Sequence, residues 1–341
     1  MNQYFSNKKT SVSFVLSLLV FFIHFRVFSV FDNADNALNN VLNAFHLFKY
    51  VSVPLFFSIS AAMFYRNYTL KATWKKLRNR FFSLCVPYLL WNSFWLIIAL
   101  LGNYTPLSSL FGGVKAELSL QNIIQGVFFH KFFQPFWFIH QLIVLTALCP
   151  LIYIIMKNKL VGIVSILSYF ILYCSGFEFN PGFLPNTSCV IYYLIGAFIG
   201  LHCFEAFAAR RKKLSSVIAI VIYLICTILI HYIRNIPQKF PEDSFIIIPT
   251  VIAGGSFWII FDYFDYKICP HFLTYSFMIY ALHSFVGAAI SKIIYIVFRQ
   301  NALLLPLVAV LSFSFTIFAI CVFGYILDKH MPKLKRLLFG R

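Results

Sequence analysis

The feature that most constrains this chain is a succession of about ten apolar runs, each close to the length that carries a helix across a lipid bilayer. A hydrocarbon core of about 30 Å needs roughly 17–25 helical residues at a rise of about 1.5 Å each. The runs fall at about 12–31, 41–65, 82–102, 136–156, 160–177, 188–204, 214–233, 246–261, 273–298 and 302–327. A transmembrane barrel is excluded because its strands alternate apolar with polar residues and contain no such runs. A soluble protein is excluded too: 61% of the residues are hydrophobic and only 11% are charged, against about 45–50% and about 25% in ordinary soluble domains. The expected fold class is all-α, a polytopic integral membrane protein with about ten transmembrane helices.

The first run is read as a mature span rather than a signal peptide, because it lacks a small-residue cleavage site and contains His24 and Arg26. No internal repeat, soluble domain or low-complexity linker interrupts the pattern, so residues 1–341 are expected to form one transmembrane domain. The longest non-spanning stretch, 103–135, reads as an outer loop with a short helix near 117–129 lying on or dipping into the bilayer.

A formal net charge of +18 would suggest a nucleic-acid partner in a soluble protein. Here twenty of the 28 Lys and Arg residues fall on the side that holds the N-terminus, in groups such as Lys71 to Arg80 and Arg210 to Lys213. Lys115, Lys131, Arg234, Lys239 and Arg299 fall on the other side. Cytoplasmic loops carry the excess of cations, so both termini are expected inside and no nucleic-acid partner is expected. The eight Cys are scattered singly without a CxxC pair, which indicates neither a metal site nor a disulfide framework.

An ionisable side chain at bilayer depth costs a few kcal/mol, about 2.5–3.5 for a central Lys or Arg, and needs a partner, a wet cavity or a task. From the helical rise, His24 lies about 20 Å and Arg26 about 23 Å from the inner surface. Lys49, on a span running the other way, lies about 18 Å from it, and His283 lies near 15 Å. Three spans therefore place ionisable groups in one layer. An imidazole there can accept a hydroxyl proton near neutral pH, and a neighbouring cation can stabilise an oxyanion. This chemistry suits acyl transfer and equally suits a proton-coupled transporter; each group also has a plain structural reading as a hydrogen-bonding or snorkelling side chain.

A second cluster, Lys71, Lys75, Lys76, Arg78 and Arg80, precedes the third run. It reads either as an ordinary positive flank or as a rim that engages the phosphates of an anionic cofactor.

Several segments, taken in order, resemble the membrane-bound acyltransferase-3 family, the bacterial O-acetyltransferases of surface polysaccharides. They are FFIH at Phe21–His24, VSVPLFFSIS at Val51–Ser60 and KKLRNRFFSLCVPYLLWN at Lys75–Asn92, followed by FWFIHQLIVLTALCPLIY at Phe136–Tyr153, YLIGAFIG at Tyr193–Gly200 and SFMIYALH at Ser276–His283. The resemblance implies transfer of an acetyl group from cytoplasmic acetyl-CoA to a hydroxyl of a cell-surface polysaccharide or its lipid-linked precursor, in the bacterial inner membrane. It implies His24 as the catalytic histidine; on an acyltransferase reading His24 is the general base, and Lys49 or Arg26, from the same membrane layer, stabilises charge at the thioester carbonyl. Lys75, Lys76, Arg78 and Arg80 are implied to meet the CoA phosphates; Ser58 and Ser276, about 5 Å from the inner surface by the helical rise, are placed to line the donor entrance. Trp137, His140 and His283 are the candidates on the acceptor side. Expected partners are membrane lipid, a glycan or lipid-linked glycan acceptor and glycan-assembly proteins, with no metal.

The chain departs from the family pattern in the first span, where the usual Asp and Arg positions fall on Thr10 and Ser13. Two alternatives therefore stand beside the enzyme: a polysaccharide or lipid-linked sugar transporter, and a degenerate, non-catalytic family member in a glycan assembly complex.

Overall fold

A computed structural model describes residues 2–24, 50–103, 115–176, 186–234, 244–297 and 305–340, and these are helical with no strand. In chain order the helices are α1 (Gln3–His24), α2 (Ser52–Tyr65), α3 (Thr73–Arg80), α4 (Val86–Leu101), α5 (Leu120–Phe128), α6 (Trp137–Ala147), α7 (Cys149–Met156) and α8 (Lys159–Cys174). There follow α9 (Thr187–His202), α10 (Phe204–Ala208), α11 (Lys213–Arg234), α12 (Ile247–Ile260), α13 (Ser276–Val297), α14 (Leu305–His330) and α15 (Pro332–Phe339).

Among the described residues five helical segments are at least 18 residues long and apolar enough to cross a membrane: Gln3–His24, Leu70–Leu101, Lys213–Arg234, His271–Ile294 and Leu307–His330. The pair Gln134–Ala147 and Cys149–Met156, bent by 63° at its break, is apolar enough for a sixth if both halves form one span. Pro150 explains the bend, since it has no N–H to donate and its ring clashes with the carbonyl four residues back. Four shorter apolar helices coincide with the predicted runs at 41–65, 160–177, 188–204 and 246–261. Each predicted run thus overlaps an apolar helix, and the chain is an all-helical, multi-pass membrane protein. Side-chain caps set several starts: Asn158 accepts from the backbone N–H groups of Leu160 and Val161 to open α8, and Ser119 accepts from that of Asn122 to open α5.

The chain divides into two compact units. The first comprises Met1–Leu16, Leu47–Arg80 and Gln141–Cys269. In it α2 and α9 approach closely, with Gly196 and Gly200 one turn apart on the same face of α9. A Cβ at Gly196 would run into the backbone of Ser58, and one at Gly200 would stand 2.6 Å from the Ala62 carbonyl oxygen. Small residues at this spacing let two backbones approach where lipid offers no hydrophobic drive for association. The Ser58 hydroxyl adds a bond across the same contact, 3.0 Å to the Tyr192 carbonyl. Helices α11 and α12 are joined by Ser216, which donates to the Ile259 carbonyl at 3.0 Å.

The second unit comprises Ser17–His46, Phe81–His140 and Pro270–Arg341. Helices α13 and α14 pack together, while α5 is held to α4 by Tyr88, which donates to the Phe128 carbonyl at 2.8 Å. The short α15 docks on α4, with the Trp91 indole donating to the Leu338 carbonyl at 3.0 Å and packing on Phe339. Gly340 ends α15 at φ +72°, and a Cβ there would meet the Ser83 backbone, so the position needs glycine twice over.

Candidate active site

Two histidines predicted to share a membrane layer are in contact in the second unit. The rings of His24, in the last turn of α1, and His283, on α13, lie with centroids 5.3 Å apart and planes inclined at 34°. The local sequence folds to bring them there because both sit in long uninterrupted apolar helices, whose length fixes their depth. His24 is exposed at its helix end, whereas His283 is fully buried. Phe21, one turn before His24, packs on the His283 ring at 5.7 Å and stacks on Phe313 at 4.6 Å. The close approach of Phe21 is matched by Gly287, one turn beyond His283, where a Cβ would lie 3.1 Å from the Phe21 ring.

The hydrogen bonds of His283 settle its chemistry. Its Nδ1 lies 2.7 Å from the Tyr280 carbonyl and 3.2 Å from that of Ile279. A carbonyl only accepts, so the proton is assigned to Nδ1. In the neutral ring the buried Nε2 carries a lone pair, and it has no hydrogen-bond partner. A neutral imidazole with an unsatisfied acceptor nitrogen is the tautomer that can take a proton or hold a donor.

Tyr280, whose ring lies 6.3 Å from that of His283, donates its hydroxyl to the Pro135 carbonyl. It thereby ties α13 to the turn Gln134–Phe136 that leads into Trp137, a half-buried residue at the start of α6. Phe136 stacks between Tyr280 and Tyr88, and Tyr88 stacks on His140 at 6.0 Å. His140 is buried, with its Nδ1 lacking a hydrogen-bond partner, and His130 lies beside it at 5.4 Å between ring centroids. Burial, reinforced by the His140 imidazole, holds the His130 pKa down to about 4. His130 also adopts a left-handed backbone at φ +46°. It was missed in the sequence because nothing in its loop distinguishes it from a surface histidine.

The four candidate donor-binding cations divide into two pairs. Lys76 donates to the carbonyls of Phe64 and Arg66, and Arg80 donates to that of Ser60 at 3.4 Å. Lys76 therefore satisfies carbonyls at the C-terminal end of α2, where a helix leaves acceptors unpaired and its dipole favours cations, while Arg80 reaches a carbonyl more than a turn before that end. Lys75 and Arg78 are exposed. Ser58 is engaged between α2 and α9, with bonds to the carbonyls of Pro54 and Tyr192, and Ser276 is half-buried at the start of α13. Arg26 and Lys49 lie outside the described residues. Among the described residues no group of three or more His, Cys, Asp or Glu is placed to hold a metal ion.

A buried charge cluster in the first unit was not anticipated. Helix α1 begins at Gln3, well before the predicted span, and carries Lys8 into the interior at 1% exposure. Its ammonium lies 2.6 Å from Asp262 Oδ1 and 4.2 Å above the Trp258 ring. Tyr4 donates to the same carboxylate oxygen at 2.6 Å, and Arg211 stands 3.6 Å from Oδ2. The available signal was an acid, Asp262, immediately after an apolar run in a chain with only ten acids.

The apolar helices define a multi-pass membrane protein in which an exposed histidine, His24, meets a buried one, His283. The chain belongs to the acyltransferase-3 family: the family model described as an acyltransferase domain matches residues 14–326, which take in both units. No curated protein and no solved structure matches the chain.

Proposed function

We propose that this protein is an O-acetyltransferase of the bacterial inner membrane. It moves an acetyl group from cytoplasmic acetyl-CoA to a hydroxyl of a cell-surface polysaccharide or its lipid-linked precursor. The observation that carries this reading is the His24–His283 contact within an acyltransferase chain.

In this scheme His24, on the exposed end of α1, accepts the acceptor hydroxyl's proton as its oxygen attacks the thioester carbonyl. The carbonyl oxygen takes up negative charge, which Lys49 or Arg26 stabilises. The C–S bond then breaks, CoA leaves as the thiolate, and the proton held by His24 passes to it. The His283 ring packs 5.3 Å from that of His24 and so limits the orientations open to the catalytic ring. Lys75 and Arg78 are exposed cations suited to the phosphates of the donor, and Trp137 and His140 serve the acceptor.

The test compares the surface glycan of wild-type, deletion and His24→Ala cells by mass before and after mild alkali. The expected result is an alkali-labile acetyl increment on the wild-type repeat that is absent from both others, with glycan export intact. Export lost while the remaining glycan stays acetylated would overturn the enzyme reading in favour of a transporter.

A further inference from the structure

The first unit holds a cavity of about 680 Å³ that the reaction scheme above does not use. Three chain segments meet around it: the turn after α2 with Arg66 and Tyr68, the end of α7 with Tyr153 and Lys157, and the corner between α9 and α10. The His202 ring ties that corner to α7 through a 2.7 Å bond with the Met156 carbonyl. The volume falls within the roughly 300–1,000 Å³ usual for small-molecule and cofactor sites.

Its lining combines cations with aromatic faces. The Arg66 guanidinium lies 4.5 Å from the Phe204 ring, and Lys157 is exposed at the mouth. Among the described residues neither forms an ion pair with a carboxylate. Tyr68 and Phe204 are buried at the floor, and Tyr153 packs on Tyr68 at 4.9 Å between centroids. Tyr68 is held by bonds to Thr73 and the Cys149 sulfur, so the aromatic floor is fixed before a ligand arrives. Two cations without carboxylate partners suit phosphate oxygens, and flat aromatic faces suit a nucleobase. The cavity adjoins the basic segment, because Lys76 caps the Arg66 carbonyl itself. One carboxylate, Glu205, also lines the cavity and opposes an anion there.

We propose that this cavity takes the phosphorylated nucleotide end of the acyl donor, with Arg66 and Lys157 on the phosphates and the half-buried Tyr153 ring, backed by Tyr68, against the base. The assignment rests on the acetyl-CoA reading above and locates the donor's headgroup, which the basic segment alone does not.

Cys203 lines the cavity and is exposed, so its thiol reports occupancy independently of catalysis. Purified protein in nanodiscs is labelled with a maleimide, with Cys203→Ser identifying the Cys203 signal. Desulfo-CoA, which has no thiol, serves as the probe, and ATP serves as a free nucleotide. Desulfo-CoA is expected to slow Cys203 labelling several-fold in the wild type. Arg66→Gln with Lys157→Gln should raise the desulfo-CoA concentration needed for half-protection by at least about tenfold, Arg66→Lys should largely retain the wild-type value, and Glu205→Gln should lower it. Three results would overturn the assignment: wild-type protein that transfers from acetyl-CoA without Cys203 protection, unchanged affinity in a folded double variant, or protection by ATP and not by desulfo-CoA. Wild-type protein that neither binds acetyl-CoA nor transfers from it would sink the donor reading itself, and this assignment with it.

Discussion

His24 and His283 belong to helices more than 250 residues apart in sequence, yet their rings lie 5.3 Å from each other, and the Nε2 of His283 is buried without a hydrogen-bond partner. If His24 removes the acceptor proton, His24→Ala should lower kcat by about 10²- to 10⁴-fold, the usual worth of a general base. His283→Phe keeps the ring volume and removes the acceptor nitrogen, so kcat should fall while the KM for acetyl-CoA stays unchanged. Steady-state assays on reconstituted protein read both. Equal loss of thermal stability in the two variants without a kcat effect would remove the pair from catalysis.

The buried Lys8–Asp262 pair makes an asymmetric prediction about stability. Removing one member of a buried ion pair costs about 3–5 kcal/mol, because the other charge is left uncompensated. Arg211 stands 3.6 Å from Asp262, so Lys8→Met leaves the carboxylate a partner, whereas Asp262→Leu strands the Lys8 ammonium. Thermal unfolding in detergent should rank Asp262→Leu as the less stable variant. The double variant Lys8→Met with Asp262→Leu should recover much of the loss, and purely additive effects would contradict the pairing.

At Gly196 the helix contact allows no side chain. Gly196→Val pushes α9 from α2, and overpacking of this kind costs about 1–3 kcal/mol. The expected outcome is a lower Tm and poor yield. At Gly255, where a Cβ would meet nothing within 4 Å, Gly255→Ala should be tolerated in the same assay.

The basic segment should separate by function. Lys75→Gln with Arg78→Gln should raise the KM for acetyl-CoA at unchanged Tm. Lys76→Gln should instead lower Tm, because it frees carbonyls at the end of α2. A raised KM at unchanged Tm for Lys76→Gln would argue that its capping bonds are incidental.

His130 predicts a pH dependence. Its folded pKa of about 4 lies below the unperturbed value near 6.5, so between these the unfolded chain binds more protons. The stability contributed by the neutral ring is full above about pH 6.5 and declines as pH falls toward 4. His130→Asn, which also tolerates the left-handed backbone, should flatten Tm over this window. An unchanged slope would show that other groups govern it.

Apolar run length determined the class of this protein, because a hydrocarbon layer admits only helices of a certain length. The same arithmetic set His24 and His283 at similar depths, since rise per residue is nearly constant along a helix. Depth is one coordinate, however, and rotation about each helix and the choice of neighbours are set by packing. Hence the sequence could list Lys75, Lys76, Arg78 and Arg80 as one rim, while only the tertiary structure turned Lys76 and Arg80 onto the carbonyls of α2 and left Lys75 and Arg78 outside. It could count Lys8 as an ordinary inner cation, while only the fold supplied Asp262 from 254 residues away. Periodicity along one helix is local and can be read from a string. Which face meets which partner depends on side chains brought together from distant segments, and that is decided only when the helices pack.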